Sequence, residues 1–232
     1  MVAKGLAPSR SKARALIAAG VVRVAGRVAS KPSETAPGEI ELGEDPCPWV
    51  SRAALKLVHA LNMFALSPKG VALDVGASTG GFTEVLLARG AGHVHALDVG
   101  HGQLHPSLAR DPRVTNHEGV NARTIPEGLI PAVDWVVSDV SFISLEKALP
   151  GPLTLARPGA HLIALIKPQF EAGRGAVGKG GIVGDPAVHA EVRARVRAFV
   201  EGSGWKVLGE VESPIRGSDG NREFLIAARK PG

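Results

Sequence analysis

Four ionisable residues, two lysines and two carboxylates, lie where the predicted fold would bring them together. Asp139 and Lys167 each end a predicted strand, Glu223 precedes the last predicted strand, and Lys56 lies on a helix ahead of them all. A lysine whose pKa is lowered by burial or by a neighbouring cation can accept a proton from a hydroxyl group that is otherwise a poor nucleophile. We expect Lys167 to be that base and Asp139 to orient it. Independent surface salt bridges are the alternative interpretation.

A glycine-rich turn, LDVGASTGGF, follows an apolar segment and leads into a predicted helix. Gly76 permits a sharp turn, and Gly80 with Gly81 lets backbone amides approach a ligand at the helix N-terminus. Asp98 ends the next predicted strand, where its carboxylate can accept hydrogen bonds from both hydroxyls of an adenosine ribose. An ordinary glycine turn followed by a strand-end aspartate is the alternative. The alternating strands and helices favour a ligand site.

The ligand of this turn is more consistent with S-adenosylmethionine than with a dinucleotide. The dinucleotide fingerprint requires a second glycine close to the pyrophosphate, and this chain has Ser78 there. S-adenosylmethionine has no phosphate, so Ser78 and Thr79 can lie near its carboxylate and ammonium groups.

A second glycine-rich segment matches the first seven positions of a phosphate-binding P-loop. It begins at Gly173 and reaches Lys179, but the next residue is Gly180 instead of the Ser or Thr that would hold magnesium. The GIVGDP that follows cannot form the required helix. We therefore exclude a nucleoside triphosphatase and expect a flexible loop beside the substrate cleft.

The elements that must position these residues alternate between strand and helix patterns from Trp49 onward. An amphipathic helix is predicted from Trp49 to Leu66, with Leu55, Val58 and Leu61 among its apolar residues. The later segments predict a Rossmann-like α/β fold, with a mostly parallel sheet, helices on both faces and an antiparallel last strand. Its predicted strands and helices are VALDV, a helix to about residue 89, HVHALDV, RVTNH, VDWVVSDV, a helix near 144–149, HLIALIKP, a helix from about 186 to 201, WKVLGEV and EFLIAAR.

The N-terminal segment predicts a small basic module over residues 1–42, a linker over 43–48 and one larger domain over 49–232. A helix with Ser9 as N-cap and Gly20 as C-cap precedes a hairpin that turns at Ala25-Gly26. Seven of the 27 Lys and Arg residues fall within the first 33 residues, which contain no acidic residue. Concentrated positive charge of this kind is typical of polyanion binding, although a solvated surface is the simpler alternative.

The composition of the chain indicates where in the cell the protein acts. Cys47 is the single cysteine, so no disulfide within the chain is possible, and no apolar run approaches the roughly 20 residues of a membrane span. We therefore expect a cytoplasmic protein. Among the eight histidines, His93 and His95 share a strand face, but no plausible set of metal ligands follows from the pattern and we expect no metal. The oligomeric state is left open.

Several ordered motifs resemble the TlyA family, also labelled hemolysin A-like, whose members are ribosomal RNA 2′-O-methyltransferases with an FtsJ-related fold. The motifs extend over nearly the whole chain: SRAALKL, DVGASTGGFTEVLL, ALDVGHGQL, SDVSFISL, KPQFEAGR and GNREF. The N-terminal helix and hairpin resemble the RNA-binding module named after the fourth small-subunit ribosomal protein. That pattern normally has another helix before Gly5, so we expect either a shortened module or a misassigned start codon.

The resemblance implies roles for individual residues. The family's catalytic tetrad corresponds to Lys56, Asp139, Lys167 and Glu223. The donor-binding residues correspond to Gly76, Ala77, Ser78, Thr79, Gly80, Gly81, Phe82, Asp98, Val99, Val120, Asn121 and Asp139. Residues expected to contact RNA are Lys4, Arg10, Lys12, Arg14, Arg23 and Arg27. The implied cofactor is S-adenosylmethionine, and the implied partner is ribosomal RNA within ribosomal subunits.

Two other classes of function stay open from the sequence. The hemolysin label suggests a membrane-active protein, against which the predicted parallel sheet and the lack of a spanning segment both argue. A non-catalytic RNA-binding assembly factor would keep the fold without needing the four ionisable residues. Few aromatic residues, 4% of the chain, favour recognition of RNA shape over base stacking.

Overall fold

The chain forms two compact units in a computed structural model, residues 1–48 and residues 49–232. The structure describes residues 1–7, 10–32, 38–43, 47–217 and 219–232, without the side chains of residues 11, 12, 15 and 174. The predicted N-cap Ser9 therefore lies outside the described residues. Each unit is considered by itself below.

The N-terminal unit packs one helix against a small antiparallel sheet. Among its described residues the elements are a short 3-10 helix (Val2–Lys4), α1 (Arg10–Ala18), β1 (Val22–Val24), β2 (Arg27–Val28) and β3 (Ile40–Leu42), with the sheet order β2-β1-β3. The sequence did not predict β3, because a three-residue edge strand carries little periodic signal. Leu16 and Val22 lie at the centre of the small core.

The local geometry of this unit follows from two turns. Gly20 adopts a left-handed conformation, φ 71°, and the amide of Val21 donates to the carbonyl of Leu16 at 3.3 Å, which closes α1 in the way a C-terminal glycine does. Ala25 and Gly26 both have positive φ, 49° and 77°, as a two-residue hairpin loop requires.

The C-terminal unit contains the larger sheet. Its described helices and strands are α2 (Ala53–Met63), β4 (Val71–Val75), α3 (Gly81–Ala88), β5 (His93–Asp98), α4 (Pro106–Ala109), β6 (Val114–Glu118), β7 (Val133–Ser138), α5 (Leu145–Ala148), α6 (Pro150–Thr154), β8 (Ala156–Ile166), α7 (Pro168–Glu171), α8 (Pro186–Gly202), β9 (Lys206–Glu212) and β10 (Phe224–Arg229). These described strands form a seven-stranded sheet in the order β6-β5-β4-β7-β8-β10-β9. β10 runs antiparallel to both of its neighbours, and the pairs from β6 to β8 are parallel. The predicted fold class is confirmed.

Helices cover both faces of the sheet. One core lies under α5, α6 and α8 and includes Leu149, Val136 and Val196, while the other lies under α2 and α3 and includes Leu57 and Val137. Val136 and Val137 are consecutive in β7 and serve opposite cores, because side chains alternate across a strand. Truncating a fully buried leucine such as Leu57 to alanine costs about 2–5 kcal/mol.

The sheet order fixes where a ligand can bind. From β4 the chain adds β5 and β6 on one side, and it then crosses back to add β7 and β8 on the other. At such a reversal the carboxyl ends of two neighbouring strands separate into a crevice. The crevice here lies beyond the ends of β4 and β7.

The predicted helix from Trp49 to Leu66 is shorter in the structure, where it spans Ala53–Met63. Before α2 the amide of Val50 donates to Glu84 Oε2 at 2.7 Å, so this backbone is held by a side chain of α3 and not by helical bonds. Of the predicted apolar residues, Leu61 is fully buried and Val58 is half-buried against the same core. Among the described residues, no helix is long and apolar enough to cross a membrane.

Candidate active site

The turn after β4 is tied to the end of β5. The amides of Gly76 and Ala77 donate to the carbonyl of Leu97 at 2.8 and 3.1 Å, and the amide of Ser78 donates to Asp98 Oδ2 at 2.8 Å. Gly76 has φ 83°, and a Cβ there would lie 3.0 Å from the carbonyl oxygen of Asp139. The turn therefore needs glycine at this position for both conformation and space.

Asp98 is held in one orientation by the backbone. Its Oδ2 accepts from Ser78, and its Oδ1 accepts from the amide of Gly100 at 2.8 Å. Each carboxylate oxygen has a second acceptor site, so the group can still bind two further donors. This geometry suits the recognition of a pair of ribose hydroxyls.

A cavity of about 530 Å³ opens beside this turn, and a smaller one of about 150 Å³ lies next to it. The larger cavity is lined by these predicted residues: Gly76, Ser78, Asp98, Val99, Val120, Asn121 and Asp139. The smaller one is lined by Gly76, Ala77, Ser78, Thr79, Gly81, Phe82, Asp139 and Lys167. The sequence analysis did not single out Ser51, Gln103 and Ser141, which also line them.

Gly80 is not among the residues that line either cavity. A Cβ at Gly80 would lie 2.3 Å from Leu108 and 2.8 Å from Leu104, so the glycine lets the segment around α4 pack closely against the turn. Its φ of 99° gives a second reason for glycine. The structure thus gives Gly80 a packing role, whereas sequence reasoning assigned it to the ligand.

The structure brings the four predicted ionisable residues together. Lys167 Nζ lies 2.6 Å from Asp139 Oδ1, Lys56 Nζ lies 3.7 Å from Asp139 Oδ2, and Lys56 Nζ lies 2.7 Å from Glu223 Oε2. Their side chains are 2–13% exposed. We call this set the charged cluster.

Three strand ends and one helix build the charged cluster. Asp139 follows β7 and Lys167 follows β8, at the carboxyl edge of the sheet. Because Phe224 of the antiparallel β10 pairs with Ile166 of β8, Glu223 lies at the same edge of the sheet. Lys56 reaches the group from the buried face of α2.

Positive and negative charges alternate through the charged cluster, from Glu223 through Lys56 and Asp139 to Lys167. Each buried charge therefore has an opposite neighbour, which offsets its desolvation. Removing one partner would leave an uncompensated buried charge, at a cost of about 3–5 kcal/mol.

Asp74 is a buried carboxylate that the sequence analysis did not single out. Burial raises the pKa of Asp74 to about 7, and Asp139 adds to the rise, while a hydrogen bond from the Thr83 hydroxyl at 2.7 Å opposes it. Its Oδ1 is buried and has no hydrogen-bond partner among the described residues. The visible sequence signal is an acidic residue within the apolar strand VALDV.

An exposed aromatic residue stands beside the charged cluster. Phe142 is 90% exposed and has φ 66°, and its ring centroid lies 5.0 Å from that of Phe170. The ring of Phe170 lies 6.0 Å from Lys167 Nζ. Neither composition nor spacing indicated this pair, because the loop conformation exposes it.

The second glycine-rich segment is held in place by two side chains. Asn221 accepts from the amide of Val183 and donates to the carbonyl of Gly181, both at 2.9 Å, and His189 Nε2 lies 2.8 Å from the carbonyl oxygen of Val183. Next to Asn221 in the fold, Gly217 packs so closely on Glu223 that a Cβ there would lie 2.5 Å from Oε1. This segment is therefore anchored to the strand end that carries Glu223.

The described basic side chains of the N-terminal unit lie on its surface. Among those predicted to contact RNA, the exposed ones are Lys4, Arg10, Arg14, Arg23 and Arg27. The side chain of Lys12 is outside the described residues. Arg23 Nη1 donates to the carbonyl of Gly26 at 3.1 Å, which supports the hairpin turn.

The histidines form local hydrogen bonds. His95 Nδ1 lies 3.0 Å from His117 Nε2, and burial lowers the pKa of His95 to about 4, with the neighbouring histidines adding to the effect. His105 caps α4 by accepting from the amide of Ser107. Among the described residues, no group of three or more His, Cys, Asp or Glu could hold a metal ion.

Comparison with known proteins places this geometry in a family. The model of the FtsJ-like methyltransferases matches residues 49–230, and the model of the S4 domain matches residues 1–39. The 16S/23S rRNA (cytidine-2′-O)-methyltransferase TlyA of Mycobacterium tuberculosis is 47% identical over 99% of this chain and 87% of its own length.

Solved structures agree with this assignment. A protein from Streptococcus thermophilus that is named a hemolysin has a TM-score of 0.80 and 40% identity, over 96% of this chain and 83% of its own. The N-methyltransferase NodS of Bradyrhizobium japonicum, solved with S-adenosyl-L-homocysteine, shares the fold with a TM-score of 0.52 and 14% identity, over 81% and 90% of the two chains. The chain belongs to the FtsJ-like methyltransferases, within the TlyA group, and carries an S4 domain at its N-terminal end.

Proposed function

We propose that this enzyme transfers a methyl group from S-adenosylmethionine to ribose 2′-hydroxyls of structured ribosomal RNA. The observation that carries the proposal is the buried alternation of Glu223, Lys56, Asp139 and Lys167, directly beside two cavities. A ribose hydroxyl is a weak nucleophile, so it needs positioning and a group that accepts its proton. The charged cluster supplies both.

The residues around the larger cavity fit S-adenosylmethionine. A volume of about 530 Å³ lies within the range of small-molecule sites, roughly 300–1,000 Å³. Asp98 is oriented to bind ribose hydroxyls, and Val99, Val120 and Asn121 provide a lining for the adenine. The absence of a Cβ at Gly76 keeps the space beside Asp139 open.

The smaller cavity fits the other end of the same molecule. Ser78 and Thr79 offer hydroxyl groups and backbone amides to a carboxylate and an ammonium group. Asp139 lines both cavities, and its carboxylate would stabilise the positively charged sulfur of a bound donor. The bound donor supplies an electrophilic methyl group on that sulfonium.

The residues of the charged cluster have different roles in the proposed reaction. Lys167 accepts the proton of the hydroxyl group, and Asp139 holds Lys167 Nζ in place at 2.6 Å. Lys56 and Glu223 balance the charge and hold the ribose. Since these groups are already ordered and buried, little reorganisation is needed during the reaction.

RNA binding is assigned to the N-terminal unit. Lys4, Arg14, Arg23 and Arg27 are exposed, and cations that neutralise phosphates gain affinity by releasing counterions. This unit would dock on folded ribosomal RNA while the C-terminal unit modifies a nucleotide. We infer a cytoplasmic site of action, because ribosomal subunits are the proposed partner.

No observation favours either of the two other functions. The chain belongs to a methyltransferase family and has the four ionisable residues assembled, whereas an assembly factor would not need them. The word hemolysin is attached to a similar protein from Streptococcus thermophilus, and no feature described above provides a membrane-active element.

Mapping of ribose methylation tests the proposal. Ribosomal RNA from cells that lack this protein should lose 2′-O-methyl groups at specific nucleotides, and expression of the wild-type chain should restore them. Purified subunits from the deficient cells should accept methyl groups from labelled S-adenosylmethionine in vitro. Identical methylation maps with and without the protein would contradict the assigned substrate.

A further inference from the structure

Ser141 lies where the two cavities meet. It lines both of them, as Asp139 does, and the residue is exposed. Its Oγ accepts a hydrogen bond from Lys167 Nζ at 2.8 Å. The sequence analysis did not single out Ser141, and the charged cluster as described above does not include it.

Lys167 Nζ therefore has two neighbours in the loop that follows β7. It forms an ion pair with Asp139 Oδ1 at 2.6 Å and donates a hydrogen bond to Ser141 Oγ at 2.8 Å. A neutral primary amine has two N–H groups and one lone pair, arranged tetrahedrally around nitrogen with the Cε bond. Because Asp139 fixes the position of Nζ and Ser141 fixes one N–H group, the hydrogen bond to Ser141 limits the directions in which the lone pair can point.

We propose that Ser141 is a positioning residue that directs the lone pair of neutral Lys167 toward the ribose hydroxyl. This inference rests on the function proposed above. Without the Ser141 hydroxyl, the amine would keep its contact with Asp139 but could rotate about the Cε–Nζ bond, so the lone pair would sample other directions. A proton acceptor with the wrong direction loses much of its contribution to the rate.

Atoms and electrons balance in this step. The hydroxyl oxygen forms the new bond to the methyl carbon and loses its proton to the lone pair of Lys167 Nζ. The electron pair of the broken carbon–sulfur bond stays on sulfur, which becomes neutral. Lys167 then holds a third N–H, and that proton returns to solvent through the exposed side of the site, where Ser141 lies.

Several other charged groups lie around Lys167. Asp139 contacts it directly from the end of β7, Lys56 faces Asp139 from α2 at 3.7 Å, and Glu223 binds Lys56 from the start of β10. Asp74 lies on β4, and Asp139 contributes to its raised pKa. All of these groups stay in place when the Ser141 hydroxyl is removed.

Loss of the hydroxyl has a distinct signature. The plateau of the pH–rate profile should fall, because the lone pair is no longer directed, and a threonine at the same position should restore the plateau, because it keeps the hydroxyl.

The test compares Ser141→Ala and Ser141→Thr with the wild-type chain in single-turnover methyl transfer to undermethylated ribosomal subunits, from about pH 6 to 10. We expect Ser141→Ala to lower the plateau roughly 10–100-fold. Ser141→Thr should restore the plateau to within about threefold, because it keeps the hydroxyl. The dissociation constant of S-adenosylmethionine, measured by titration calorimetry, should change less than about threefold, because Asp98 and the turn after β4 are untouched.

A matched control is Ser138→Ala. Ser138 ends β7, is buried, and its Oγ has no hydrogen-bond partner among the described residues. This variant removes a serine hydroxyl three residues from Ser141 without touching Lys167, so its pH–rate profile should match that of the wild type.

The outcomes separate this inference from the proposed function. If the wild-type chain transfers no methyl group to ribosomal RNA, the proposed function itself fails, and this inference fails with it. If the wild type is active and Ser141→Ala has an unchanged plateau, the inference alone is overturned. A lower plateau with no recovery in Ser141→Thr would also overturn it, because general damage to the site would then explain the loss.

Discussion

Charged residues serve opposite purposes in the two units of this protein. In the C-terminal unit, Lys56 and Lys167 are about 9–10% exposed and each lies within 2.7 Å of a carboxylate. In the N-terminal unit, Arg14, Arg23 and Arg27 are exposed. Burial fixes the position of each charged side chain and requires that it keep an oppositely charged partner. Exposed charges stay available to a polyanion, and their interactions weaken as the salt concentration rises.

The comparison shows that basic side chains can take part in catalysis when they are buried and in RNA docking when they are exposed. A buried lysine must be paired, and pairing defines where its nitrogen lies within tenths of an ångström. An exposed arginine needs no defined geometry to attract phosphates. Substitutions in the two regions should therefore change different measurements, and the expected effects differ in size.

The largest effect should come from separating Lys56 and Glu223. Lys56→Met or Glu223→Gln alone should lower the free energy of unfolding by about 3–5 kcal/mol, because each leaves a buried charge uncompensated. The double variant should lose less than the sum of the two. Denaturant titration of the wild type, both single variants and the double variant measures this coupling.

Arg222→Met is the control for that comparison. Arg222 is 47% exposed and pairs with Glu212 at 3.5 Å, so its loss should change the unfolding free energy little. Purely additive losses for Lys56 and Glu223 would contradict the account of a coupled buried pair.

Asp74 should show what a buried charge costs without a cationic partner. Its pKa is raised from 3.8 to about 7, so the protonated form is favoured by folding. The contribution of Asp74 is fully present below about pH 4 and is lost as the pH rises through about 7. Asp74→Asn stays neutral, so its stability relative to the wild type should increase over this range, by on the order of 2–4 kcal/mol.

Thermal or denaturant unfolding of wild type and Asp74→Asn at several values between pH 4 and 8 checks this sign. A difference that does not depend on pH would show that Asp74 titrates normally in the folded protein. The buried position would then tolerate a charge more easily than its missing partner implies.

Asp98→Ala should weaken donor binding without affecting the charged cluster. The carboxylate is oriented by the amides of Ser78 and Gly100, and hydrogen bonds to charged groups contribute about 1.5–3 kcal/mol each. We expect the dissociation constant of S-adenosylmethionine to rise at least about tenfold in titration calorimetry. Asp111→Ala, in a solvent-exposed turn before β6, is the control and should bind normally.

The smallest effect should come from the N-terminal surface. Arg23→Gln with Arg27→Gln should weaken RNA binding modestly and make its salt dependence shallower, with a slope reduced by about 0.7–0.9 for each phosphate that is no longer neutralised. Lys69→Gln with Arg89→Gln removes the same charge from the C-terminal unit, at the amino edge of the sheet. Equal slopes of salt dependence for the two double variants would contradict a special role of the N-terminal hairpin in RNA binding.

Much of the catalytic unit could be predicted because its signals are periodic. Alternating apolar segments predict parallel strands, and the carboxyl ends of such strands share an edge. Asp98, Asp139 and Lys167 all follow from this rule. The position of Glu223 at the same edge also follows, because the last strand is predicted to be antiparallel.

Other features depend on tertiary packing that no local pattern shows. Hydrophobic periodicity treats Lys56 as a polar position, although it lies on the buried face of α2. The side chain of Glu84 binds the backbone before α2, where the sequence pattern predicts a helix. The sequence pattern assigns Gly80 to the ligand-binding turn, although its neighbours in the structure are Leu104 and Leu108. Ser141 lies in a loop whose shape is set by contacts distant in sequence.

The most direct test of the central claim is single-turnover methyl transfer by Lys167→Met with undermethylated ribosomal subunits. We predict that the rate falls at least about 100-fold, since a general base contributes roughly 10²–10⁴. Binding of S-adenosylmethionine should stay within about threefold of the wild type, and Lys69→Met should be fully active. A Lys167→Met enzyme that transfers methyl groups at the wild-type rate would contradict the account.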